Sequence, residues 1–442
     1  MKYEEYKDSG VEWIGEVPSH WEVCRIKDVL KNGSDSIKIG PFGSSLTGKV
    51  GENLGYKVYG QWNIVGCDFN AGTNTVDSET FKKLCKSYRV VGGDILISMM
   101  GTIGKCAVIP ENIQDGIMDS HVVKIRLNRT KMTTDFFEYF YDKDKSNVVY
   151  SQLQKVKGGS IMDGLNSSII KNLTIVVPPV NEQIEIIKAI KDKIRNVEVQ
   201  IYKANRRISL LEELKQSIIT DAVTKGLNPN APMKDSGVEW IGEVPEHWEI
   251  RKIKSLSIVK RGASPRPIED PKYFNENGDY AWVRIADVSN SERYLEKTTQ
   301  TLSALGASLS VKREPGDIFI SIAGTVGKPI ITHIKCCIHD GFVWFPYLKQ
   351  NSEYLYYIFM SGQPYLGLGK MGTQLNLNTD TIGDIKIPVP PLAEQQTIAT
   401  HLDKECEKIA AQISKANRRI ELLNELKQSI ITEAVTGKIK VC

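Results

Sequence analysis

The stretch Gly43-Ser44-Ser45-Leu46-Thr47-Gly48-Lys49-Val50 falls one residue short of a phosphate-binding loop. That motif needs a hydroxyl after the lysine to hold Mg²⁺; Val50 has none, and no helical pattern follows. A glycine-rich surface loop is expected instead. The Pro-Pro pairs precede Val180 and Leu392 and are not the Asn-Pro-Pro-Tyr or Asp-Pro-Pro-Tyr of an adenine methyltransferase. No Pro-Asp with a following Glu-x-Lys marks a nuclease metal site. His20 and His247 lie in a copied segment, where a packing or capping role is expected. His121, His333, His339 and His401 lie apart, without ligand spacing. Cys336-Cys337 reads as buried filler. The chain shows no catalytic constellation, and no cofactor or metal site is expected in it.

Residues suited to binding are more plentiful. Arg261-Gly262-Ala263-Ser264-Pro265-Arg266-Pro267 sets Arg261 and Arg266 on a stiff loop, suited to phosphate or guanine contact. Tyr59-Gly60-Gln61-Trp62-Asn63 offers the amides of Gln61 and Asn63 to adenine edges, with Trp62 beside them. Its rough counterpart, Trp282-Val283-Arg284-Ile285-Ala286-Asp287, contributes Arg284. Lys155 and Lys157 precede a Gly-Gly-Ser run, and Lys370 and Gln374 sit at the matching place later in the chain. Lys105 and Lys328 each follow a Gly-Thr turn. Polar loops that differ between two copies of one scaffold read as two binders of two targets.

Composition leaves room for this. The chain has 442 residues, 41% of them hydrophobic, and a net charge of +4. That is ordinary for two or three soluble globular domains. A mildly basic balance permits a nucleic-acid partner without requiring one. The eight cysteines include no CxxC pair, so a reducing cytoplasm is expected rather than a disulfide scaffold or zinc ribbon. With no apolar signal core and no span-length apolar run, no membrane partner is expected.

The elements that must position these loops are repeated. Lys7 to Pro18 returns unchanged at Lys234 to Pro245, a shift of 227 residues. His20-Trp21-Glu22 returns as His247-Trp248-Glu249 in that register. Lys203 to Ile208 returns at Lys415 to Ile420, and Leu214 to Thr220 at Leu426 to Thr432, both shifted by 212. Between these copies only scraps agree, chiefly Gly93-Asp94-Ile95-Leu96-Ile97-Ser98 with Gly101-Thr102-Ile103-Gly104-Lys105 against Gly316 to Lys328. Each scrap reads as a buried strand, a Gly-Thr turn and a second strand. Further strands are expected at His121–Leu127, Leu173–Val177, Gly341–Leu348 and Ile385–Val389, and helices at Thr134–Asp144 and Ser352–Met360. The fold class is therefore α+β (mixed α/β). A first globular domain covers 1–177, opening on the copied segment 7–27, and a central helix follows over 178–230. A second globular domain covers 231–389, with its copy at 234–254, and a distal helix covers 390–442.

The two helices carry coiled-coil seams. After Pro178-Pro179, the a positions are Ile187, Ile194, Ile201, Ile208 and Lys215, and the d positions are Ile190, Val197, Ala204, Leu211 and Ile218. After Pro390-Pro391, the a positions are Ala399, Cys406, Ile413, Ile420 and Lys427, and the d positions are Leu402, Ile409, Ala416, Leu423 and Ile430. Asn181 is the expected N-cap of the first helix, Ala393 a poorer one of the second, and Gly226 and Gly437 the stops. Each helix should span roughly 65 Å at about 1.5 Å per residue. Leu210 and Leu214, repeated as Leu422 and Leu426, add a second apolar stripe expected to dock another protein.

With its Val-Glu-Trp-Ile-Gly-Glu-Val-Pro openings, paired Gly-Asp-Ile…Gly-Thr…Gly-Lys segments and two Pro-Pro…Glu-Gln helix starts, the chain resembles the specificity subunit of type I restriction–modification systems. The resemblance covers essentially the whole length. It implies two target-recognition domains, each reading one half of a split site on double-stranded DNA in the major groove. It further implies antiparallel helices that act as a spacer and bind two methyltransferase subunits. Those subunits methylate adenine N6 with S-adenosylmethionine, and restriction subunits driven by ATP and Mg²⁺ join them; the subunit itself does no chemistry. Antiparallel packing of such helices would place the domains near opposite ends, able to meet DNA one turn, about 34 Å, apart. A type IIB-like or methylation-only system fits the same residues. From another class, so does a coiled-coil adaptor with two binding heads and no DNA role.

Overall fold

The computed structural model describes residues 2–33, 35–41, 43–156, 165–366, 368 and 377–440. It forms two compact units, Met1–Asn205 with Asn417–Cys442, and Arg206–Ala416. The contact pattern thus divides each long helix between the units, where the sequence repeat treats each helix as a segment of its own.

The long helices run Val180–Lys225 and Leu392–Val435. Each starts one residue earlier than the capping signals predict, so Asn181 lies inside the first turn and is not its cap. The cause is the buried glutamine of the Pro-Pro…Glu-Gln motif. Gln183 Nε2 donates to the Pro178 carbonyl at 2.8 Å, and Gln395 Nε2 to that of Pro390 at 2.8 Å. This side chain folds back over the first turn and ties it to the proline before it, though it satisfies none of the first-turn N–H groups that a cap would. Both helices end at left-handed glycines, Gly226 (φ 73°) and Gly437 (φ 74°), as expected.

Within each unit, one helix half meets the other helix running antiparallel. In the first unit Ile187, Ile190 and Ile194 share a core with Ile431, Ala434 and Val435. Arg419 Nη2 donates to Gln200 Oε1 at 2.9 Å, and Lys427 Nζ to Glu198 Oε1 at 2.6 Å. In the second unit Ile219, Ala222 and Val223 share a core with Ile398 and Leu402, and Arg207 donates to Gln412 at 3.1 Å. The Arg207–Gln412 and Arg419–Gln200 bonds are the same bond under the 212-residue repeat. Seam residues Val197, Ala204, Leu211, Ile409, Ala416 and Leu423 are buried, whereas Ile201, Ile208, Ile413 and Ile420 are half-buried.

Each globular part is built on two larger sheets, beside two two-stranded ones. In the first unit, one sheet is ordered Cys106–Val108, Ile95–Ser98, Val122–Ile125, Ile37–Ile39. The other runs Gly51–Glu52, Asn74–Val76, Tyr56–Tyr59, Gly116–Met118, Arg89–Val90. The second unit repeats both orders despite its diverged sequence, except that among the described residues no strand matches Gly51–Glu52. Pro329–Thr332, Ile318–Ser321, Phe342–Trp344 and Lys260–Arg261 form one sheet, extended by Tyr294–Leu295. Thr301–Leu302, Tyr280–Val283, Cys336–Ile338 and Val311–Arg313 form the other. The shared scraps hold the first sheet. Ile95–Ser98 and Ile318–Ser321 are buried throughout, so both strand faces must be apolar. Gly104 (φ 90°) and Gly327 (φ 86°) turn the chain where a Cβ would press on Tyr150 and Tyr365, each 3.0 Å away.

The copied opening fastens each globular part to its helix. Trp21 is buried with Phe136, ring centroids 6.5 Å apart, and donates to Glu182 at 3.1 Å. His20 Nε2 lies 2.9 Å from the same carboxylate, and His247 2.9 Å from Glu394. The histidine side chains are about half exposed, so they act not by packing but as polar partners of the motif's glutamates.

Candidate nucleic-acid interface

Each unit contains one pair of parallel neighbours in its second sheet. Gly116–Met118 runs parallel to Tyr56–Tyr59, and Cys336–Ile338 to Tyr280–Val283. Parallel strands release their following loops on one edge, and that edge is where open α/β sheets bind ligands.

In the first unit this edge gathers three loops. A short helix, Gln61–Gly66, follows one strand, and Asp119-Ser120-His121 follows the other. Asp119 N donates to the Tyr59 carbonyl at 2.9 Å, and Asp119 Oδ1 accepts from His121 N at 2.7 Å. The Gly-Thr turn joins them: Gln61 Nε2 donates to the Met100 carbonyl and, at 3.0 Å, to Thr102 Oγ1. Trp62 is 56% exposed and rests on Gly72, where a Cβ would stand 3.1 Å from its indole. Asn63 is 2% exposed, with its amide spent internally. Its Oδ1 accepts from Gly60 N at 3.0 Å, and its Nδ2 donates to the Asp68 and Ala71 carbonyls at 2.9 and 3.1 Å. Asn63 therefore holds the turn and offers nothing outward. Burial holds the Asp119 carboxyl above its ordinary range, against the opposing His121 amide.

In the second unit the same edge carries three arginines paired with aspartates. Arg284 stands at the N-cap of Ile285–Asn290, bonded to Thr299 and 3.5 Å from Asp287. Arg261 Nε donates to the Asp340 carbonyl at 3.1 Å and Arg266 Nη2 to Asp340 Oδ2 at 3.0 Å. His339 leans on Trp282 and Phe342, with centroids at 5.8 and 4.6 Å. Burial lowers its affinity for a proton.

The structure brings together Gln61 and Trp62 in one unit, and Arg261, Arg266 and Arg284 in the other. The remaining candidates are placed differently. Lys105 is turned inward onto Asp142 and Asp144. Lys328 donates to the Ser289 and Ser291 carbonyls, and burial lowers its pKa. Lys155 pairs with Glu12 and lies 4.7 Å over the Trp13 ring, on the copied hairpin. Lys157, Lys370 and Gln374 lie outside the described residues. The docking candidates are open: Leu210, Leu214, Leu422 and Leu426 are each 48–49% exposed. Asp119 and Asp340 were not singled out by sequence reasoning, and His121 and His339 were named there only as lacking ligand spacing. Their signal was position, since Asp119 and His339 each directly follow a three-residue buried strand. Among the described residues no cluster of potential metal ligands occurs, and no helix is long and apolar enough to cross a membrane.

Two units of one topology with different loops on the same edge, each holding half of both long helices, define a protein with two related recognition units. Residues 18–206 and 245–424 match the type I restriction modification DNA specificity domain, and the chain belongs to that family. The type I restriction enzyme MjaVIII specificity subunit of Methanocaldococcus jannaschii is 27% identical over 446 residues, covering 96% of this chain and 94% of its own. Two solved structures share the fold. One is a chain from work on complex assembly and conformational transition of the type I R-M system, with TM-score 0.70, 18% identity and coverage of 96% and 99%. The other is the HsdS subunit from Thermoanaerobacter tengcongensis, with TM-score 0.53, 17% identity and coverage of 96% and 98%.

Proposed function

We propose that this chain is the DNA-reading subunit of a type I restriction–modification complex, each recognition unit reading one half of a split double-stranded site. One observation carries the reading: the opening segment and stretches of both long helices are copied to identity, while the residues on the equivalent edges differ in chemistry. A frame held constant around variable edges is what two independent readers of two half-sites require. The paired helices serve as the spacer, and their outer leucines dock two adenine-N6 methyltransferase subunits. Restriction subunits complete the assembly in the cytoplasm. The chain itself is non-catalytic; S-adenosylmethionine, ATP and Mg²⁺ belong to the partners. A net charge of +4 is enough for local phosphate contacts, with the methyltransferases adding more.

The test is domain exchange in the complete complex. Replacing residues 28–177 by the equivalent domain of another system should change one half of the methylated site and leave the other intact, as read by single-molecule methylome sequencing. A change in both halves, or methylation without a split site, would overturn the reading. Inserting four residues in each long helix adds about 6 Å of rod and should widen the unread gap by a base pair or two.

A further inference from the structure

The second unit's edge holds a device that the first unit's lacks. Asp340 accepts Arg266 Nη2 at Oδ2 and the Ser264 hydroxyl at Oδ1, both at 3.0 Å, while its backbone carbonyl takes Arg261 Nε at 3.1 Å. The loop under it is fixed: Gly341 N donates to His339 Nδ1 at 2.8 Å, and Ala263 N to the Ile338 carbonyl at 3.1 Å. The far side of the arginine is fixed as well, since Tyr273 OH donates to the Arg266 carbonyl at 2.9 Å. Yet the Arg266 side chain is 74% exposed. A planar guanidinium is thus anchored through one nitrogen while most of the side chain stays exposed. At the corresponding place in the first unit, Asp119 bonds the His121 amide and, among the described residues, no guanidinium.

This arrangement discriminates between the two partners an exposed arginine can have. A phosphate is an anion, and a carboxylate fixed against the same guanidinium repels it and cancels the charge that would attract it. The neutral N7 and O6 acceptors of guanine suffer no such repulsion and match the planar fork. An arginine already held in one orientation also loses less side-chain freedom on docking. Resting on the DNA reading above, we infer that Arg266, positioned by Asp340, reads a guanine in the major groove of the half-site taken by the second unit. Asp340 is a positioning residue, acting through Arg266.

The experiment uses the complex of this chain with its methyltransferase subunits. Methylome sequencing of wild type and Arg266→Ala should show the requirement for one guanine relaxed in one half-site and the other half unchanged. Placing 7-deazaguanine, which lacks N7, at that position should weaken wild-type binding on the order of 10-fold or more and leave the Arg266→Ala complex unaffected. Asp340→Ala should loosen the preference at the same base without lowering the melting temperature, and Asp340→Asn, which keeps the acceptor oxygen, should restore part of it. If Arg266→Ala weakens all sequences alike and flattens the salt dependence, the arginine is a phosphate contact. The inference then falls while the DNA reading stands. If the wild-type complex methylates no split site, the DNA reading falls and this inference with it.

Discussion

Lys427 on the distal helix lies 2.6 Å from Glu198 on the central helix, whereas its duplicate, Lys215, has Ala410 at the equivalent register. The two seam lysines are copies, but among the described residues only Lys427 forms an ion pair. In the first unit the charge that interrupts the apolar seam is answered across the helix pair. In the second, Lys215 and Ala410 line a cleft shared with Arg293, Asp403 and Cys406.

Ala410→Glu should recreate the missing ion pair. Ala410 is exposed, so a glutamate fits without desolvation, and the gain should be about 0.5 kcal/mol. The rise in melting temperature should vanish at high salt. An unchanged melting temperature at low salt would mean that Lys215 does not face this position closely enough to pair.

Leu422→Asp with Leu426→Asp should remove one methyltransferase subunit from the complex. These side chains are exposed in the chain itself, so its stability should move by less than about 0.5 kcal/mol. Light scattering of the purified complex reads the lost mass. An intact complex would place the docking face elsewhere.

Gln183→Ala should release the globular part of the first unit from its helix. Gln183 is fully buried, accepts from Thr133 N at 2.8 Å and donates to the Lys131 and Pro178 carbonyls at 2.7 and 2.8 Å. Each group left unpaired costs about 1–3 kcal/mol. Hydrogen exchange should show faster exchange at Thr133, and Gln395→Ala should do the same at Asn351, whose N–H it accepts at 2.9 Å.

Asp119→Asn should stabilise the chain at neutral pH. Burial raises the folded pKa of Asp119 above its unfolded value, so folding favours the protonated acid and ionisation costs stability as pH rises through the folded value. The amide removes that cost and can still accept the His121 N–H. The gain in melting temperature should shrink as pH falls below the folded pKa. A gain independent of pH would assign it to some other cause.

Much of the frame was legible in the chain because it is written twice. Identity between Lys7–Pro18 and Lys234–Pro245, and the heptad seams, express periodic apolar burial, which is a local property of sequence. The strands Ile95–Ser98 and Ile318–Ser321 were equally plain as apolar runs. The helix starts were misplaced by one residue because their ordering group, Gln183 or Gln395, acts from inside the helix upon the prolines before it. The edge residues were legible only in part. Gln61, Arg266 and Arg284 have the right chemistry, but so do Asn63, which is buried, and Lys105, which is turned onto two aspartates.

The sequence by itself determined the duplication, the two seams and the α+β character of the units, because side-chain periodicity and covalent identity need no third dimension. Only the tertiary structure decided that Asp340 would meet Arg266 and that, among the described residues, Asp119 would meet no guanidinium. Parallel strands bring together loops more than 50 residues apart, and which polar groups then pair depends on distances that no local pattern encodes.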